Sequence, residues 1–165
     1  AVPVCCGGGF PVAYPGMAPP RMQDDFSRIR KGIEIFGFGD LGIIGGPGRA
    51  LCGEGGSTLT RIELRKGQDL YLNEGSYGSL FDAAQCAWKY PVRLHRDGEA
   101  SPEMSEFRFF GPTCDSLDMM AGPFNLPADT REGDWIEICH LGAYGQAMAT
   151  DFNGFQSDAT VAILS

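Results

Sequence analysis

Clustered positive charge is the first thing this sequence lacks. Lys and Arg number 13 against 21 Asp and Glu, a formal net charge of −8, and no basic run concentrates the few cations. That excludes the footprint of a nucleic-acid binder or of a protein drawn to anionic lipid. Long apolar runs are missing too, since none approaches the roughly 18 residues that cross a bilayer as a helix. The six cysteines, at 5, 6, 52, 86, 114 and 139, form no C-x-x-C pair, and there is no N-x-S/T sequon. No metal site and no disulfide framework is expected; the pattern predicts reduced, cytoplasmic thiols, mostly buried as small hydrophobes. The opening Ala1-Val2-Pro3-Val4-Cys5-Cys6 has neither the basic region nor the long apolar region of a signal peptide. It starts directly in a strand-like run, as a fragment would.

What is present is a globular composition. The 165 residues are 43% hydrophobic and 21% charged, enough for one ordinary domain with a core. Glycine is abundant at 24 residues, which points to many turns and close backbone approaches.

In chain order, residues 2–6 read as a buried strand that ends in Gly7-Gly8-Gly9. Bare glycines at a strand exit let backbone N–H groups close on an anion. Residues 14–20 form a Pro-rich loop. Met22, Phe26, Ile29, Ile33 and Phe36 then recur at 4, 3, 4 and 3, one face of a helix that serves packing. Asp24 and Asp25 suit its first turn. Gly37-Phe38-Gly39-Asp40-Leu41-Gly42 fits G-x-G-x-x-G, but Gly45, Gly46, Pro47 and Gly48 follow at once. No helix start remains to hold a pyrophosphate, so the match is a decoy. Residues 41–44 read as a second buried strand, with Gly46-Pro47-Gly48-Arg49 as its exit.

From Thr58 the period changes to two. Thr60, Ile62 and Leu64 alternate with Arg61, Glu63 and Arg65, a half-buried strand. Lys66-Gly67-Gln68-Asp69 turns it into residues 70–72. Residues 92–94 lead to a hairpin-type turn at Asp97-Gly98. Residues 107–110, 135–139 and 160–164 are further strands. The spacing predicts an antiparallel sandwich or barrel, with the change of architecture near Gly56.

The motif that organises the rest is Gly111-Pro112-Thr113-Cys114-Asp115-Ser116. Gly111 and Pro112 break the preceding apolar run, so a thiol and a carboxylate fall side by side on a loop leaving a strand. Downstream stand Gly142-Ala143-Tyr144 and Phe152-Asn153-Gly154-Phe155. Together with Gly7-Gly8-Gly9 and Pro47-Gly48-Arg49, these segments resemble the C-terminal half of the fold-type III pyridoxal-phosphate decarboxylases, the group of ornithine and diaminopimelate decarboxylase. Asp115, where the diaminopimelate enzymes usually carry glutamate, resembles the ornithine branch.

The resemblance implies an α/β plus all-β chain. Residues 1–56 would be the last part of a pyridoxal-phosphate-binding (β/α)8 barrel of the alanine-racemase kind, which needs about 250 residues when whole. Residues 57–165 would be a C-terminal antiparallel β domain. The implied cofactor is pyridoxal 5′-phosphate, with Gly7, Gly8, Gly9, Arg49 and Tyr144 around its phosphate. Cys114 would deliver a proton to the substrate carbanion, a task suited to a thiol of pKa about 8.5. Asp115 would meet the substrate's distal ammonium and Phe152 would line its pocket. The Cys114–Asp115 loop would act in trans across a two-fold interface, making the parent a homodimer, and Tyr77 lies in a segment near that interface. The implied activity is decarboxylation of a basic amino acid to a diamine, as in polyamine biosynthesis.

The chain also departs from the family. The lysine that forms the Schiff base belongs to the N-terminal half, and Lys31, Lys66 and Lys89 sit in no matching motif. Gly46 replaces the glutamate before Pro-Gly-Arg. Gln85-Cys86 stands where ornithine enzymes have Tyr-Asp. The chain is therefore expected to be inactive alone; the alternative is a non-catalytic homologue that dimerises with or regulates a full-length enzyme. An unpaired strand edge at residues 2–6 would favour association.

Overall fold

The computed structural model describes residues 3–156 and 159–163. It opens with β1 (Val4–Cys5), α1 (Met22–Ile35), β2 (Ile43–Ile44) and α2 (Gly48–Cys52). β1 and β2 pair in parallel, Val4 opposite Ile43 and Cys5 opposite Ile44. Both strands are shorter than the sequence pattern predicts and neither is buried, since Cys5, Ile43 and Ile44 are exposed and Val4 is half-buried; Val2 lies outside the described residues. α1 covers the expected span. It stops at Gly37, where φ is +69°, with the Phe38 amide donating to the Ile33 carbonyl and the Gly37 amide to that of Glu34. A left-handed residue that closes the last carbonyls in this way favours glycine. No α1 residue is buried, although its apolar stripe predicts packing.

Six strands form the second sheet: β3 (Thr58–Lys66), β4 (Asp69–Leu72), β5 (Val92–His95), β6 (Met104–Phe110), β7 (Met119–Pro127) and β8 (Trp135–Ile138). Their order is β5-β8-β3-β4-β6-β7. The two outer strands, β5 and β7, come into contact, so the sheet curls round its core. Short helices α3 (Phe81–Gln85) and α4 (Gly145–Met148) sit beside it.

Alternation sets the core. Thr60 and Ile62 of β3, Leu70 and Leu72 of β4, Phe107 and Phe109 of β6, and Ile136 and Ile138 of β8 face inward and are buried. Phe109 stacks on Phe124 with centroids 4.0 Å apart. Each buried Leu, Ile or Phe among them contributes about 1.5–3 kcal/mol of burial.

The structure corrects four further sequence expectations. The sheet is mixed rather than antiparallel, because β4 and β6 run parallel; the 31 residues between them leave room for a crossover through α3 and β5. Gly98 does turn, with φ at +91°, but it makes no hairpin, since β5 pairs with β8 instead. Residues 159–163 carry no strand, and Leu164 lies outside the described residues. Only Cys139 is buried among the cysteines. Cys5, Cys6, Cys52, Cys86 and Cys114 are exposed and free, because they sit on loops, helix ends and the thinly packed opening segment.

Candidate functional site

Two groups of side chains stand out. The first comprises the exits of β1 and β2 and the cluster around Arg49, three residues beyond Gly46. Parallel pairing puts both exits side by side, and the Gly46 amide donates to the Gly7 carbonyl at 2.8 Å. A Cβ on Gly8 would lie 2.8 Å from the Gly46 oxygen, so only glycine allows this approach. Gly7 and Gly9 have φ of +75° and +87°, and a Cβ on either would meet nothing within 4 Å. Their backbone therefore lines open space.

Arg49 is the second residue of α2, directly after this exit. Its Nη2 donates to Asp82 Oδ2 at 2.8 Å and its Nη1 to the Tyr14 hydroxyl at 3.0 Å. The guanidinium carbon lies 4.3 Å from the Trp88 ring centroid and 4.6 Å from that of Tyr144. Burial opposes the Arg49 charge, but the bonds to Asp82 and Tyr14 outweigh it and raise its pKa. Tyr144 is a non-glycine residue at φ +68°, a conformation that costs of order 1–3 kcal/mol and persists where the surroundings impose it. Gly8 thus touches Gly46, Arg49 follows three residues later, and Tyr144 lies over Arg49.

The second group is built on the loop of residues 111–118, between β6 and β7. Its anchor is Asp118, only 3% exposed. Asp118 accepts from the Ser76 amide and hydroxyl and from the Thr113 amide and hydroxyl. Gly75 and Gly111 leave the room, because a Cβ on either would fall within about 2.2 Å of the Asp118 carboxylate. Pinned this way, the loop holds Cys114 and Asp115 outward. Asp115 Oδ2 accepts the Tyr77 hydroxyl at 2.6 Å and Oδ1 the Leu117 amide at 2.9 Å. These bonds, the Leu117 amide first, lower the Asp115 pKa. The same bond raises that of Tyr77, with smaller help from burial and from the neighbouring carboxylate charges.

Tyr77 ties three segments together. Its ring lies 4.4 Å from that of Phe152, and its carbonyl accepts the Thr150 amide and hydroxyl at 2.7 and 3.1 Å. Cys114 is exposed, with Asn153 Nδ2 3.9 Å from its sulfur. Cys114, Asp115 and Phe152 therefore meet through Tyr77 and Asn153. A cleft of about 470 Å³ opens beside them, lined by Tyr71, Phe110, Pro112, Phe155, Glu63 and Asp115.

Sequence reasoning placed Tyr77 near the site without a role and passed over Asp118, Asp82 and Trp88. The signal for Asp118 was slight: a loop that opens on glycine and closes on a carboxylate. Asp82 and Trp88 gave none, because their partner Arg49 is 33 residues from Asp82.

A family model described as pyridoxal-dependent decarboxylase, C-terminal sheet domain, matches residues 51–142. The lysine/ornithine decarboxylase of Selenomonas ruminantium is 31% identical over 159 residues, covering 94% of this chain and 39% of its own. Antizyme inhibitor 2 of Xenopus laevis is 28% identical over 91% of this chain and 36% of its own. Among solved structures, the Vibrio vulnificus lysine/ornithine decarboxylase complexed with putrescine superposes with a TM-score of 0.78 at 29% identity, covering 98% of this chain and 44% of that one. The chain thus spans about two fifths of the length of these relatives.

Proposed function

The chain belongs to the pyridoxal-dependent decarboxylases, in their C-terminal part, and on that premise we propose that it is the C-terminal part of an enzyme that decarboxylates a basic amino acid to a diamine. Residues 1–56 are the end of the cofactor-binding barrel and residues 57–165 the C-terminal β domain of a cytoplasmic homodimer. Pyridoxal phosphate, when bound, supplies the electron sink for loss of CO2. The chain's own residues fit its phosphate end. Gly7, Gly8 and Gly9 offer open backbone, Arg49 a cation and Tyr144 a phenol.

Cys114 holds a proton at Sγ and delivers it to the substrate carbon. Asp115, kept ionised by the Leu117 amide and Tyr77, holds the distal ammonium. Phe152 packs against Tyr77 and lines the alkyl chain. The aromatic rings and the three carboxylates of the neighbouring cleft, Glu63, Asp115 and Asp118, suit an organic cation. The observation that carries this reading is the pair of exposed Cys114 and half-buried Asp115 on a loop braced by Asp118, where a neighbouring subunit can receive it. Alone, the chain is inactive, because the anchoring lysine belongs to the other half.

The test joins the N-terminal part of the S. ruminantium relative to this chain and measures CO2 release from ornithine, lysine and diaminopimelate. Activity that falls by about 10²–10⁴ on Cys114→Ala, the usual worth of a placed proton donor, supports the reading; full activity without the thiol overturns it. A second reading, a non-catalytic homologue, is favoured by Gly46 and by the similarity to antizyme inhibitor 2. A folded, cofactor-loaded hybrid that stays inactive until Gly46→Glu is introduced would favour it.

A further inference from the structure

We infer that Asp82 is a built-in counter-anion for Arg49 and sets how tightly this strand exit takes a phosphate monoester. The inference rests on the reading of Arg49 as a phosphate ligand and adds a residue to it. Arg49 is enclosed on four sides. Trp88 and Tyr144 lie over its guanidinium at 4.3 and 4.6 Å, Tyr14 takes Nη1 and Asp82 takes Nη2. Both members of the ion pair are 16% exposed, so water screens the pair less than it screens a surface pair.

A guanidinium carries five N–H donors. Two are used here, which leaves three for a ligand. The cation is therefore aimed but already neutralised. A phosphate dianion that reaches it must share the guanidinium with a carboxylate or displace that carboxylate, and like charges at this range repel strongly. Tyr14 and the two rings carry no charge and can hold the guanidinium in place without Asp82. Losing the carboxylate thus removes a competitor while most of the positioning remains. The effect is largest where the phosphate is a dianion, above its second ionisation near pH 6.

Calorimetric titration of the chain with pyridoxamine 5′-phosphate, which has no aldehyde to react with lysines, tests this directly. Pyridoxamine and inorganic phosphate serve as the two half-ligands. Asp82→Asn should tighten pyridoxamine 5′-phosphate by about tenfold or more at pH 7.5 and low salt. The gain should shrink at pH 5, be absent with pyridoxamine, and vanish in an Arg49→Gln background. Equal or weaker binding in Asp82→Asn, or a gain that survives Arg49→Gln, overturns the counter-anion. If the wild-type chain binds and Arg49→Gln loses affinity, the phosphate site stands whatever Asp82 does. If neither wild type nor Asp82→Asn binds while both melt cooperatively, the phosphate site falls and the inference with it. Should Asp82→Asn fail to melt cooperatively, Asp82→Ser, which also removes the charge, answers the same question.

Discussion

Helix α1 and strand β6 are built from similar material. α1 carries Met22, Phe26, Ile29, Ile33 and Ile35, and β6 carries Met104, Phe107, Phe109 and Phe110. β6 buries Phe107 and Phe109 completely, whereas Phe26 and Ile35 of α1 stay 41% and 66% exposed. β6 lies between β4 and β7 and faces inward. The α1 stripe meets Phe10, whose ring is 5.5 Å from that of Phe26, and buries no residue of its own. Periodicity makes an element, but burial needs a second surface. Most of the largest fully buried side chains of this chain therefore lie in the curled sheet. The opening segment joins it through Val12 and Tyr14, which enter that core, through the Arg49–Asp82 ion pair, and through the Leu141 and Gly142 amides, which donate to the Gly56 and Gly53 carbonyls.

The sharpest test of that contrast is a pair of truncations. Phe109→Ala removes a ring stacked on Phe124 and should cost about 3–5 kcal/mol in denaturant unfolding. Leu51→Ala on α2, at a side chain 74% exposed, should change stability by no more than about 0.5 kcal/mol. Comparable losses would show that the opening segment has a core of its own.

Asp118→Ala comes next. It strips the partner from four donors, two on Ser76 and two on Thr113, and should cost about 2–3 kcal/mol. Amide exchange should accelerate first in residues 111–118, with β3 and β8 unaffected. Uniform acceleration through the sheet would mean that Asp118 serves the core rather than the loop.

The smallest effect concerns Glu74. Burial raises its pKa, partly opposed by the amides of Gly75 and Ser79. A carboxyl held above its unfolded value loses stability as pH rises from the ordinary value to the folded one, and that cost persists at neutral pH. Glu74→Gln keeps an acceptor and removes the charge. Its melting temperature at pH 7 should exceed the wild type's by a few degrees, and the gain should fade below about pH 4. A gain that is independent of pH would rule out ionisation as the cause.

Much of the fold was legible along the chain. The 3–4 spacing located α1, the period of two located β3, and the glycines at 7–9 and 111 marked where strands end. Cys114 and Asp115 could be placed on a loop because Gly111-Pro112 cannot continue a strand. The β4–β6 pairing was not legible, because it joins residues about 39 positions apart in parallel and nothing local distinguishes a parallel partner from an antiparallel one. Nor was the enclosure of Arg49, whose four neighbours come from three separate stretches of chain.

By itself, then, the sequence determined what depends on near neighbours: which residues form helix or strand, where backbone must bend, and which side chains carry a proton or a charge. Only the tertiary structure decided which strand lies beside which, that Asp118 pins the thiol loop, and that Arg49 faces a carboxylate. Those outcomes depend on packing and charge between distant segments, and the free energies that select them exist only once the chain has closed on itself.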